Sequence, residues 1–229
     1  MGQIYLSGKP GIEIKLRRSM RAKRMSLRVS ALDGQVTLTL PPRVPLREGQ
    51  AFARDKEEWL RSHLERLAAP CLITMGSQIP VEGELLELVP GSGRQVRIKG
   101  KELVVPGCED QAGQRVLTWL KARARQQLTS ASLHYAQKLG RDFGRITLRD
   151  TRSRWGSCSH EGNLMYSWRL ILAWPEVLEY VAAHEVAHLE EMNHSPAFWA
   201  TVTGLYGDWK PARKWLRESG HELHRYRFS

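Results

Sequence analysis

Two histidines four residues apart, His184 and His188, enclose a glutamate at position 185. On a helix this spacing stacks both imidazoles on one face, where two neutral rings can bind one zinc ion. Glu185 lies roughly 100° round the helix from His184. From there it reaches a water on the metal without entering the coordination sphere. A carboxylate base beside a Lewis acid makes a hydroxide nucleophile near neutral pH. Leu178, Val181 and Ala182 precede the pattern and mark a helix buried against a core. A glutamate and two histidines are costly inside such a helix unless they are paired or metallated.

His194 is the expected third ligand. It lies six residues beyond His188, a spacing that a straight helix does not align. A helix that ends near Asn193 lets a turn swing His194 back, and Ser195-Pro196 reads as the cap and first residue of a new helix. Glu191 is the rival ligand, on the same helix face as His184 and His188. Otherwise it orients a ligand or pairs with an arginine.

The elements that must position these residues follow from periodicity. Ile12, Ile14 and Leu16 alternate, as do Leu27 and Val29, then Val36, Leu38 and Leu40, with a turn at Asp33-Gly34. Residues 46–67 read as one helix with Trp59, Leu60, Leu64 and Leu67 inward; His63 in it is an ordinary surface or core-edge histidine. Short strands return over 71–106, and Gly107 to Gly113 reads as a linker. A long helix follows, striped by Val116, Leu117, Leu120, Ala124, Leu128, Ala131, Tyr135 and Leu139 and closed at Gly140. Two strands come next, one at Ile146 and Leu148, the other carrying Leu164, Tyr166, Trp168 and Leu170 on one face. Pro175 opens the helix of the histidine pattern. The expected class is α+β: a β-rich N-terminal region over 1–106, crossed by one helix, then a catalytic domain over 107–229 with a long helix, a small sheet and the active-site helix.

Several stretches together resemble one known family. They are Arg152-Ser153-Arg154-Trp155-Gly156-Ser157-Cys158, Trp168-Arg169-Leu170, Tyr180-Val181 leading to His184-Glu185-Val186-Ala187-His188, and Asn193-His194-Ser195-Pro196-Ala197-Phe198-Trp199. The chain is similar to the YgjP-like metal-dependent hydrolases, related to the WLM and SprT-like zincin metallopeptidases. The resemblance implies a zincin-like domain with His184, His188 and His194 as zinc ligands and Glu185 as the catalytic residue. Ser167 stands where the family commonly has asparagine. The histidine spacing also resembles metzincins, but Glu191 occupies the position of their glycine.

Two substrate classes are compatible with the resemblance. Peptide cleavage needs an edge strand to hold an extended chain, for which 163–170 is the candidate, and a donor for the oxyanion. One bacterial branch of the family is described as cleaving nucleoside triphosphates, notably UTP, to the monophosphate and pyrophosphate. That chemistry needs cations around the phosphates. Arg152, Arg154 and Arg169, with Trp168, are the candidate substrate contacts; structural pairing is the alternative role for Arg152 and Arg154. Cys158 reads as a structural thiol.

The chain has 229 residues, a net charge of +11 and three cysteines. So few, scattered cysteines exclude a disulfide scaffold. No apolar run is long enough to span a membrane. No secretory pattern opens the chain, so the cytoplasm is the expected place. The basic balance favours an anionic ligand. A non-enzymatic nucleic-acid-binding module is therefore the third reading. It draws on the cationic run from Arg17 to Arg24, which has no interleaved aromatic residue for base stacking. Oligomeric state has no signature in the sequence.

Overall fold

Alternating apolar residues build a four-stranded N-terminal sheet. The computed structural model describes residues 2–8, 10–30, 34–65 and 69–228. The strands are β1 (Gln3–Leu6), β2 (Ile12–Arg18), β3 (Ser26–Val29) and β4 (Val36–Leu40), ordered β1-β2-β4-β3. The central pair, β2 and β4, runs parallel; both flanking pairs are antiparallel. Ile4, Leu6, Ile12, Ile14, Val36, Leu38 and Leu40 face one way and form the core of this unit. Helices α1 (Leu46–Asp55) and α2 (Glu57–Glu65) contribute Ala53 and Leu60 to it. The single helix expected over 46–67 is thus two, because Lys56 leaves helical geometry (φ −102°, ψ 9°). The break lets each short helix turn its own small stripe inward, and Trp59, expected inside, is 41% exposed. Asp33 of the expected turn and Leu67 of the expected stripe lie outside the described residues.

The chain divides into two units, Met1–Ala69 and Pro70–Ser229. The boundary expected at 106/107 therefore falls earlier. Strands β5 (Cys71–Leu72), β6 (Gln78–Val81), β7 (Glu84–Gly91), β8 (Arg97–Lys99) and β9 (Glu102–Pro106) belong to the second unit. The last four form a sheet ordered β6-β7-β9-β8. Its Ile79, Leu88, Leu103 and Val105 share one core with Val116 and Leu120 of α3 (Ala112–Leu139). Gly113, expected in a linker, is buried inside this unit. A Cβ there would lie 2.5 Å from the Phe228 carbonyl oxygen and 2.9 Å from that of Ile73.

The 28-residue α3 buries the expected stripe except Leu117 and Leu139, which are half-buried, and ends at Gly140, whose φ of 70° suits glycine. Against it lies a three-stranded sheet of β10 (Ile146–Arg149), β11 (Gly156–Cys158) and β12 (Leu164–Ser167), ordered β10-β12-β11. The buried Tyr166 hydroxyl meets Ser132 Oγ of α3 at 2.9 Å. The second expected strand stops at Ser167, and Trp168–Leu172 coils into a short 3-10 helix. Strand β12 is central in its sheet, so 163–170 is not the edge; β11 is. Three helices complete the unit, α4 (Pro175–Ala187), α5 (Pro196–Tyr206) and α6 (Lys210–Glu218), with β13 (Tyr226–Arg227) pairing β5. The α+β class holds, and no helix among the described residues is long and apolar enough to cross a membrane.

Candidate metal centre

Helix α4 opens with Pro175 at its first turn and is almost wholly buried. It ends at Ala187, with His188 as its C-cap, a turn and a half before the expected end near Asn193. Tight turns follow: Leu189 N–H donates to the Val186 carbonyl and Glu190 N–H to that of Ala187. The chain then reverses. Ser195 caps α5 by accepting from Phe198 N–H at 3.2 Å, with Pro196 behind it, as the sequence predicts. Two helix ends therefore fix His194 opposite α4.

The three imidazoles converge. Their ring centroids lie 5.1 Å (His184–His188), 5.0 Å (His184–His194) and 4.9 Å (His188–His194) apart. Each offers one nitrogen within 4.8 Å of the others, and no other such trio of metal-ligating side chains occurs among the described residues. Nε2 of His184 and Nε2 of His194 stand 3.1 Å apart. Two nitrogens on a tetrahedral zinc ion would be about 3.3 Å apart, so the pair is already near ligand spacing. His188 Nδ1 lies 2.9 Å from the Glu191 carbonyl oxygen. Donation there leaves Nε2 as the lone-pair nitrogen. Glu191 thus contributes its backbone to the site. His184 Nδ1 is buried without a partner. Fully buried Phe198 touches all three rings, stacking on His188 at 4.5 Å.

Electrostatics favours ligation. Burial, then the neighbouring His188 and His194, pushes the His184 pKa down to about 3, and burial lowers that of His188. Both rings are neutral near pH 7, the state a metal requires. Glu185 is 5% exposed and points toward β11. Burial raises its pKa to about 8, against the pull of Arg154. The donor set therefore fits a metal ion, with a carboxyl group beside it that can hold or release a proton near neutrality.

A cleft of about 410 Å³ contains His184 and Glu185 and is lined by Arg154, Tyr180, Arg213 and Arg217. Arg154 was anticipated from the sequence. Arg213 and Arg217 were not, although their spacing of four on α6 puts them on one face. Nothing in the sequence shows that this face meets α4. Tyr180 stands four residues before His184, and its ring lies 5.8 Å from that histidine. Arg152 is exposed on the loop before β11 and acts on buried His224.

Arg169 and Trp168 do not line the cleft, contrary to expectation. Arg169 is 5% exposed and bonds Asp150 at 2.6 and 3.0 Å. It also donates to the carbonyls of Leu223 and Tyr226 at 2.9 and 3.2 Å. Its guanidinium lies 4.6 Å from the centre of the Trp168 ring, itself buried. With its donors spent on Asp150 and the C-terminal segment, Arg169 has a structural role.

Residues 23–219 match the model of the YgjP-like family, described as a metallopeptidase domain. Comparison with the curated proteins returned no match. Among solved structures, the crystal structure of the metallopeptidase zymogen of Pyrococcus abyssi abylysin is similar at 20% identity. That match covers 43% of this chain and 97% of the other, with a TM-score of 0.37.

Proposed function

The chain belongs to the YgjP-like family, and from that premise we propose that it is a zinc-dependent hydrolase whose preferred substrate is a peptide. Membership of the family supports a metal-dependent hydrolase. The observation that carries it is the convergence of three imidazole nitrogens beside one buried carboxyl group. His184, His188 and His194 would hold zinc. Zinc supplies Lewis acidity and a positive charge that also lowers the proton affinity of a nearby carboxyl group. Glu185 accepts the proton of the attacking water at its carboxylate and returns it to the departing amine. The elements of water thereby divide between the two products. Edge strand β11 offers unpaired backbone for an extended peptide, and Tyr180 is the candidate donor for the developing oxyanion.

A specific observation favours a second reading, nucleoside triphosphate cleavage. Arg154, Arg213 and Arg217 line the cleft with Glu185, and three guanidinium groups suit a polyphosphate. Localisation in the cytoplasm remains part of this proposal. One experiment decides between the substrates. Zinc-loaded protein and its Glu185→Gln form are offered unfolded peptides and UTP. Peptide turnover lost in the variant, with zinc content retained, supports the first reading. UTP turnover lost in the same way transfers the assignment to the second.

A further inference from the structure

The N-terminal sheet covers only one of its faces with its helices. Alternation sends Gln3, Tyr5, Glu13, Lys15, Arg17, Ser26 and Arg28 to the other face, all of them exposed. Strand register fixes their neighbours. Lys15 pairs with Gln3 on one side and Thr37 on the other, Thr37 pairs with Arg28, and Arg17 pairs with Thr39. The face thus has three cations separated by short hydroxyl side chains. Among the described residues none of the three takes part in an ion pair. Its single carboxylate, Glu13, accepts from Gln3 at 2.6 Å. Residues 1–69 carry 14 Lys and Arg against seven Asp and Glu, a net +7 of the chain's +11.

The aromatic group missing from the cationic run is supplied by another strand. Pairing of β1 with β2 sets Tyr5 beside Glu13, and its ring lies over Gly11. A side chain at Gly11 would collide with the phenol. The ring is therefore laid along the sheet, yet it is 69% exposed. The ring is about 13 Å along β2 from Lys15, with Glu13 between them, so an exposed aromatic and a row of cations share one face, the pairing that holds unpaired bases and their phosphates. Lys15 and Arg17 are about 7 Å apart along one strand, and Arg28 is about 10 Å away across two strand spacings. Arg21, Lys23 and Arg24, exposed on the loop after β2, extend the positive field. Arg18 does not contribute, because it binds the carbonyls of Pro41, Pro42 and Val44.

We propose that this outer face binds single-stranded nucleic acid, with Lys15, Arg17 and Arg28 on phosphates and Tyr5 stacked on a base. The proposal is independent of the metal centre. It is tested by fluorescence anisotropy of the full chain with a labelled oligouridylate of about a dozen nucleotides, alone and annealed to its complement. The single strand should bind more tightly. Joint replacement Lys15→Ala, Arg17→Ala and Arg28→Ala should reduce the slope of log K against log salt by about 2, from roughly 0.7 per lost phosphate contact. Tyr5→Ala should weaken binding about fivefold or more at unchanged slope, and Tyr5→Phe should restore it. Circular dichroism should show each variant folded, since every replaced side chain is exposed. Equal affinity of the triple variant and the parent overturns the proposal. So does equal affinity for single strand and duplex, or competition by polyglutamate as effective as by oligouridylate.

Discussion

Gly156 of β11 leaves no room for a side chain beside Glu185. A Cβ there would stand 2.5 Å from Oε1, 2.6 Å from Cγ and 2.7 Å from Cδ of the glutamate. The edge strand of the sheet and the carboxyl group of the helix are thereby held in direct contact.

The first prediction concerns that contact. Gly156→Ala must displace a buried carboxyl group from its place against β11. A shift of about 1 Å at a reacting group can cost on the order of a hundredfold in rate. We expect turnover to fall by about that factor while zinc content, read by elemental analysis, is unchanged. An alanine variant of full activity would exclude Glu185 from the reaction.

Zinc should stabilise the fold through the three histidines. At a hundredfold excess over its dissociation constant, a ligand bound only by the native state adds about 2.7 kcal/mol. Thermal melting with and without zinc should show an upward shift in the parent chain. His188→Ala and His194→Ala should abolish it. Retention of the full shift in both would mean that the ion binds elsewhere.

Arg154 and Arg169 should separate cleanly. Arg169→Ala strands Asp150 and two carbonyl groups, so a loss of about 3 kcal/mol is expected by urea denaturation. Arg154→Ala should leave the urea midpoint within error and instead raise KM, most strongly for an anionic substrate. The reverse outcome would return Arg169 to the list of substrate contacts.

Stability should also depend on pH through His224. Burial, then the charge of Arg169, holds its pKa down at about 4 against an ordinary 6.5. The unfolded chain therefore binds a proton that the native chain refuses. Stability from this group is complete above about pH 6.5 and falls as pH drops toward 4. Below that it changes no further. Urea midpoints measured from pH 7.5 to 4.5 should decline less steeply in His224→Gln than in the parent chain. His184 and His188 are present in both chains, so the difference isolates His224.

The histidine pattern was readable because its chemistry is local: a spacing of four on one helix face fixes two of the three rings. His194 was readable because Ser195-Pro196 announces a new helix. The long stripe of α3 was equally plain, since one period persists over 28 residues. Non-local features were not legible. Arg169 sits in a family-like stretch, and only the packing of the C-terminal segment shows its guanidinium enclosed by Leu223 and Tyr226 carbonyls. Arg213 and Arg217 carry no pattern beyond a shared face, and the cleft exists only once α6 meets α4. The edge role passed from β12 to β11 because strand order is set by pairing, which periodicity does not encode. Tyr5 and Arg28 are remote in sequence and join one surface through register alone.

Early termination of α4 has a geometric effect. The turns that follow satisfy its last carbonyls: that of Val186 accepts from Leu189 N–H, and that of Ala187 from Glu190 and Glu191 N–H. The chain can therefore double back over Leu189 to His194, and His194 Nε2 comes to stand 3.1 Å from His184 Nε2. A helix prolonged to Asn193 would have carried the third ring away along its axis and left the first two facing empty space.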